Sequence, residues 1–122
     1  MATDEQQTPT PATELPPDEV DTTSVQIVDV RTDEERAAAH IPGDVYIPLE
    51  RLQEDAGTLD RERTVVFYCR GGDRSRAAAE AFRASGWDAY SVAGGLVAWA
   101  ERGLPVEPEG AQVVQRSQLP PY

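Results

Sequence analysis

A cysteine placed directly after an apolar run, and followed at once by arginine and glycines, can make a sulfur nucleophile. Here the run is Thr64-Val65-Val66-Phe67-Tyr68, the loop is Cys69-Arg70-Gly71-Gly72-Asp73-Arg74, and an alanine-rich stretch follows from Ser75 to about Ser85. Strand, tight loop and helix in that order aim backbone N–H groups and a helix N-terminus at one point. The partial positive charge there, with the guanidinium groups of Arg70 and Arg74, favours thiolate over thiol. The competing reading is a buried structural cysteine, since free cysteine is among the most buried residue types. The loop and its two arginines favour the reactive reading.

The elements that must hold this loop alternate short apolar runs with helical patterns, which predicts βαβ units and a parallel sheet. Val25 to Val30 reads as a central strand. Thr32 with Glu35 forms a helix-start signature, so a helix is expected over Asp33 to Ala38. Val45 to Ile47 reads as a short strand, and Leu49 to Ala56 as a short helix. Thr64 to Tyr68 is continuously apolar, as expected where helices cover both sheet faces. Ser75 to Ser85 is the strongest helix, with Ser75 as its cap, Ala78, Ala81 and Phe82 facing the core, and Gly86 stopping it. Ala89 to Val92 gives a last strand, and Leu96 to Arg102 a last helix ended by Gly103. Thr13 to Leu15 reads as a first edge strand, with a stunted helix at Asp18 to Val20.

Composition bounds the rest. A length of 122 residues suits one compact domain. A single cysteine rules out an intrachain disulfide, and one histidine beside it gives no metal-ligand spacing. No apolar stretch approaches a membrane span and no secretion signal opens the chain, so the cytoplasm is the expected location. The net charge is −11, but residues 1–24 carry six acids and no base, against fourteen acids and ten arginines from Val25 to Val106. The acidity is therefore concentrated in a Thr/Pro-rich tail, expected to be disordered over residues 1–12. Residues 108–122 are expected to be a loose second tail ending in Pro120-Pro121-Tyr122, a solvated end rather than a ligand for an aromatic groove. An acidic domain without a basic face has no electrostatic case for nucleic acid.

Cys69-x-x-Gly72-x-Arg74 resembles the active-site loop of the rhodanese (thiosulfate sulfurtransferase) family. Upstream, Val28-Asp29-Val30-Arg31, His40-Ile41-Pro42-Gly43 and Ile47-Pro48-Leu49 are similar to the family's N-terminal signature. Downstream, Ser85-Gly86-Trp87, Gly94-Gly95, Ala98-Trp99 and Gly103-Leu104-Pro105-Val106 resemble its closing segment, so the likeness runs over residues 13–107. Two departures stand out: Arg36 where an aromatic is common, and Ala39 where glycine usually precedes the histidine. Both bear on local packing more than on chemistry. The resemblance implies a rhodanese-like α/β domain, a small parallel β-sheet of about five strands with helices on both faces.

Cys69 lies just past a strand's carboxyl end, where open parallel sheets bind ligands. The resemblance implies a sulfurtransferase in which Cys69 thiolate takes the sulfane sulfur of thiosulfate or a persulfide and passes it to cyanide or a thiol. That is covalent catalysis in two half-reactions, needing no cofactor. Arg70, Gly71, Gly72, Asp73, Arg74 and Ser75 would form the substrate loop, with its N–H groups cradling the anionic sulfur. Gly72 more than Gly71 is expected to supply unusual backbone geometry. Arg70 is expected to meet substrate charge, Arg74 to anchor the loop, and Arg76 to be solvated. Asp29 and Arg31 are expected to buttress the loop. His40 reads as a packing and hydrogen-bonding residue, because a pre-ionised thiol needs no general base.

Two other classes compete. Some phosphatases and arsenate reductases of this fold resemble Cys-x-x-x-x-x-Arg, whereas here Arg74 arrives one residue early and Ser75 holds the sixth place. The shorter loop suits a single sulfur atom. A non-catalytic module that relays sulfur within a complex is the third class. Expected partners are a small-molecule sulfur donor, a thiol or cyanide acceptor, and a thioredoxin-like or sulfur-relay protein. Neither membrane nor nucleic acid is expected.

Overall fold

The computed structural model describes residues 13–108. The expectation for the tail 1–12 falls outside these residues, as does that for the tail 108–122 beyond Pro108. Nine regular elements follow in order: β1 (Glu14–Leu15), β2 (Gln26–Asp29), α1 (Asp33–Ala38), β3 (Val45–Tyr46), α2 (Leu52–Asp55), β4 (Val65–Tyr68), α3 (Asp73–Ala84), β5 (Ala89–Val92) and α4 (Gly95–Glu101). Short 3-10 turns at Pro17–Glu19, Leu49–Arg51 and Ala56–Thr58 fill the longer connections. The five strands form one parallel sheet in the order β1-β5-β4-β2-β3.

The centre of the sheet belongs to β4, with the expected central strand β2 beside it. All four β4 residues are buried because helices cover both faces of the sheet. Val28, Val65, Phe67, Cys69 and Ala89 face one side and pack with Ala78, Ala79, Leu52 and Leu59. Ile27, Val66, Tyr68 and Val92 face the other and pack with Ile41, Leu96 and Trp99. The two-residue period of the strand thus decides which helix meets the cysteine: Cys69 shares the α3 face.

The helix signals hold in detail at α1. Glu35 N–H donates to Thr32 Oγ1 while Thr32 N–H donates to Glu35 Oε1, a reciprocal capping box. At α3 two expectations need correction. The helix begins at Asp73, with Gly72 at the N-cap in a left-handed conformation (φ +108°) and no capping side chain. Ser75 therefore lies inside the first turn and is not the cap. Ala81 is exposed, and Ala79 takes the core position beside Ala78. The buried stripe therefore runs through Ser75, Ala78 and Ala79, with Phe82 packed against it.

Candidate active site

Cys69 leaves β4 with its side chain buried, only 1% exposed. Burial alone fits a structural cysteine, but the surroundings of the sulfur do not. Gly72 N–H donates to Sγ at 3.1 Å and Ser75 N–H at 3.5 Å, while Ser75 Oγ lies 3.4 Å away. One side of the residue packs in the apolar cluster and the other meets two amide donors and a hydroxyl. The chain turns back onto its own sulfur because Gly72 has positive φ, which a side-chain-bearing residue rarely adopts.

The loop is held from outside by α4. Leu96 N–H donates to the Cys69 carbonyl at 2.8 Å and Val97 N–H to the Arg70 carbonyl at 3.1 Å. Those are two of the donors a helix start leaves unsatisfied, and here the loop carbonyls take them. The approach is close: a methyl at Gly95 would press into the Arg70 carbonyl and lie 2.6 Å from the Cys69 carbonyl oxygen. Sequence reasoning gave Gly94-Gly95 no role in the site. The available signal was a glycine pair just before an apolar helical run.

The other expected residues separate by position. Arg74 makes two 2.9 Å bonds to the Glu35 carboxylate, tying the start of α3 to the start of α1, so it occupies the anchoring place. Arg70 is partly exposed beside the cysteine, and Gly71 is partly buried in the loop. The Asp73 side chain is exposed and lies 3.9 Å from Arg76. Arg76 also approaches Glu14 at 3.9 Å, so it is part of a surface ion pair rather than simply solvated.

Among the described residues, the side-chain hydrogen bonds of Asp29 and Arg31 go elsewhere than to the loop. The two residues form a buried bidentate pair at 2.8 and 2.9 Å, and Arg31 also donates to the Ala39 carbonyl. Arg36 extends the pair to Asp29 (3.1 Å) and to Asp44 (two bonds of 2.9 Å). Tyr68 Oη donates to Asp44 at 2.6 Å and accepts from Ile41 N–H at 3.0 Å. The buttress therefore acts on Tyr68, one residue before the nucleophile. Burial, reinforced by Asp29 and Asp44, pushes the Tyr68 phenol far above its ordinary range. Arg36 is held more firmly protonated, first by its bonds to Asp44. The departure from an aromatic at this position is thus matched by a carboxylate eight residues on.

His40 stands apart from the sulfur. Its ring lies 3.3 Å from Asp44 and 3.7 Å from Glu107, and its backbone exchanges two hydrogen bonds with Glu107. With Asp33, Arg36, Ala37, Tyr46 and Pro108 it lines an open depression of about 370 Å³. Cys69 is not among the lining residues, and the packing role fits the contacts. Among the described residues, no group of three or more His, Cys, Asp or Glu is placed to hold a metal ion. No helix among them is long and apolar enough to cross a membrane.

Fold and site together define a loop-cysteine α/β domain, with its one thiol cradled by amides at a strand's carboxyl end. The chain belongs to the rhodanese-like domain family, whose profile matches residues 17–102. It is 38% identical over 92 residues to a sulfurtransferase of Allochromatium vinosum, covering 74% of this chain and 86% of that protein. It is 40% identical over 91 residues to an HTH-type transcriptional regulator of Mycobacterium tuberculosis, covering 73% of this chain but 40% of the regulator. Among solved structures, a rhodanese-related protein from Thermoplasma volcanium superposes with a TM-score of 0.74 at 28% identity, covering 79% of this chain and 98% of that one.

Proposed function

We propose that the protein moves sulfane sulfur from thiosulfate, or from a small persulfide, to a thiophilic acceptor through a persulfide on Cys69. The observation that carries this reading is the convergence of two amide donors and a hydroxyl on the one thiol of the chain. In the first half-reaction Cys69 thiolate attacks the outer sulfur of thiosulfate. The new S–S bond forms as the old one breaks, and sulfite leaves with the electron pair. In the second, cyanide or a thiolate attacks the terminal sulfur, and Cys69 regains its thiolate as thiocyanate or a new persulfide departs. An anionic sulfur is present at each resting stage, so donors fixed in place by α3 and α4 serve both.

Burial of Cys69 favours a donor that offers a single protruding sulfur. Arg70, partly exposed beside it, supplies charge for a dianionic donor and a leaving sulfite. Phosphate-ester hydrolysis is the weaker reading, because Arg74 arrives one residue earlier than in the phosphatase loop and is paired with Glu35. The test compares sulfite release from thiosulfate, with cyanide as acceptor, against hydrolysis of an aryl phosphate by the same preparation. Sulfite release should dominate; faster phosphate hydrolysis would overturn the reading.

A further inference from the structure

A chain of hydroxyls ends on the cysteine sulfur, and its far member is Ser91, a residue outside the loop. Ser91 lies inside β5, wholly buried, opposite Phe67 in the ladder with β4. Its Oγ is 2.7 Å from Ser75 Oγ, which in turn is 3.4 Å from Cys69 Sγ and 3.3 Å from the Gly72 carbonyl. The contact with Ser75 is the one hydrogen bond of the Ser91 hydroxyl among the described residues. A buried hydroxyl is costly in an apolar strand unless it is bonded, and an alanine would fill this place at less cost.

We propose that Ser91 is a positioning residue for Cys69, fixing the direction in which the Ser75 hydroxyl donates. The proposal rests on the reading of Cys69 as the sulfur-carrying nucleophile. Each serine has one proton to give and lone pairs to receive. When the sulfur is anionic, Ser75 gives its proton to Sγ and Ser91 gives its own to Ser75, so the two bonds reinforce each other. When the sulfur is a thiol, S–H donates to Ser75, which turns its proton to the Gly72 carbonyl. The two arrangements differ by rotation of hydroxyls, and no proton is exchanged between the serines. Without Ser91, Ser75 lacks the donor that polarises it toward the sulfur.

The charged groups around the cysteine are Arg70 of the loop, Asp73 and Arg74 at the start of α3, Glu35 of α1 paired with Arg74, and the Asp29–Arg31 pair at the end of β2, reached through Tyr68. The residues that α4 bonds to the loop, Leu96 and Val97, are uncharged, and β5 contributes the Ser91 hydroxyl.

The test uses the full chain as Ser91→Ala, Ser75→Ala and the double variant. Cys69 is the sole thiol, so iodoacetamide alkylation across a range of pH reports on it alone. Ser91→Ala should move the midpoint of that profile to higher pH and lower kcat/KM for thiosulfate by about three- to tenfold. Added to Ser75→Ala it should cost almost nothing more, since it acts through Ser75. A wild-type profile in Ser91→Ala, or a full additive loss in the double variant, would overturn the proposal. So would a lowered melting temperature with an unmoved profile, the signature of a merely structural serine. If the wild-type chain transferred no sulfur at all, the sulfurtransferase reading would fall, while the alkylation profiles would still decide whether Ser91 positions the Ser75 hydroxyl.

Discussion

Gly95→Ala should damage the site out of proportion to its size. The added methyl would press into the Arg70 carbonyl oxygen, and would sit 2.5 Å from its carbon and 2.6 Å from the Cys69 carbonyl oxygen. Ordinary carbon contacts begin near about 3.5 Å, so backbone must retreat by about 1 Å. The atoms that retreat belong to the nucleophile and its neighbour, with two α4 hydrogen bonds attached. Alanine at a left-handed φ costs about 1–2 kcal/mol, and overpacking about 1–3 kcal/mol more. The sum is about 2–5 kcal/mol, a loss of roughly 10–30 °C in melting temperature for a domain of this size. Misplacement of about 1 Å lowers turnover by about a hundredfold.

Gly103→Ala is the control, since its φ is +74° but nothing lies within 4 Å of the added methyl. It should lose about 1–2 kcal/mol and keep full activity. Melting curves and sulfite-release kinetics on both variants decide the matter. If Gly95→Ala melted with Gly103→Ala and turned over at the wild-type rate, α4 would not be what holds the loop.

Other outcomes follow from the same contacts. Arg74→Ala breaks a bidentate tie between two partly buried groups, and should cost about 1–3 kcal/mol and lower kcat. Arg70→Ala should mainly raise KM for thiosulfate, by about ten- to a hundredfold; equal KM effects in the two variants would refute this division. For pH, Tyr68 is raised from 10.0, and Tyr46, through burial and its bond to Asp33, is pushed up to about 12. The unfolded chain then loses these protons first, so stability should fall as pH rises past about 10. Tyr68→Phe should flatten that decline, and at neutral pH should cost about 1–3 kcal/mol, because the Ile41 N–H loses its buried partner. An unchanged alkaline slope in a pH series of melting curves would show that Tyr68 does not titrate with unfolding.

The parts of this site that are local in the chain were readable from it. Thr32 and Glu35 are three residues apart and form the expected box. The β4 run, the glycines and the cysteine are contiguous, so strand, loop and nucleophile read off directly. Contacts between distant segments did not. Nothing in the chain says that Glu35, already used in a cap, also takes Arg74, thirty-nine residues away. Leu96 and Val97 read only as the first residues of a helix, although their amides hold the loop. Ser75 was assigned to a cap because serine favours that position, yet a positive-φ glycine started the helix earlier and turned the hydroxyl inward. Ser91 is one polar residue within a strand that the chain predicts, and only the packing of β5 against α3 gives it a partner.

The central claim is that Cys69 carries sulfur, and intact-mass spectrometry tests it most directly. Reduced, folded protein incubated with thiosulfate at near-neutral pH should gain the mass of one sulfur atom, absent in Cys69→Ser. Cyanide should remove that mass and release thiocyanate. No adduct on the folded wild-type chain would contradict the account.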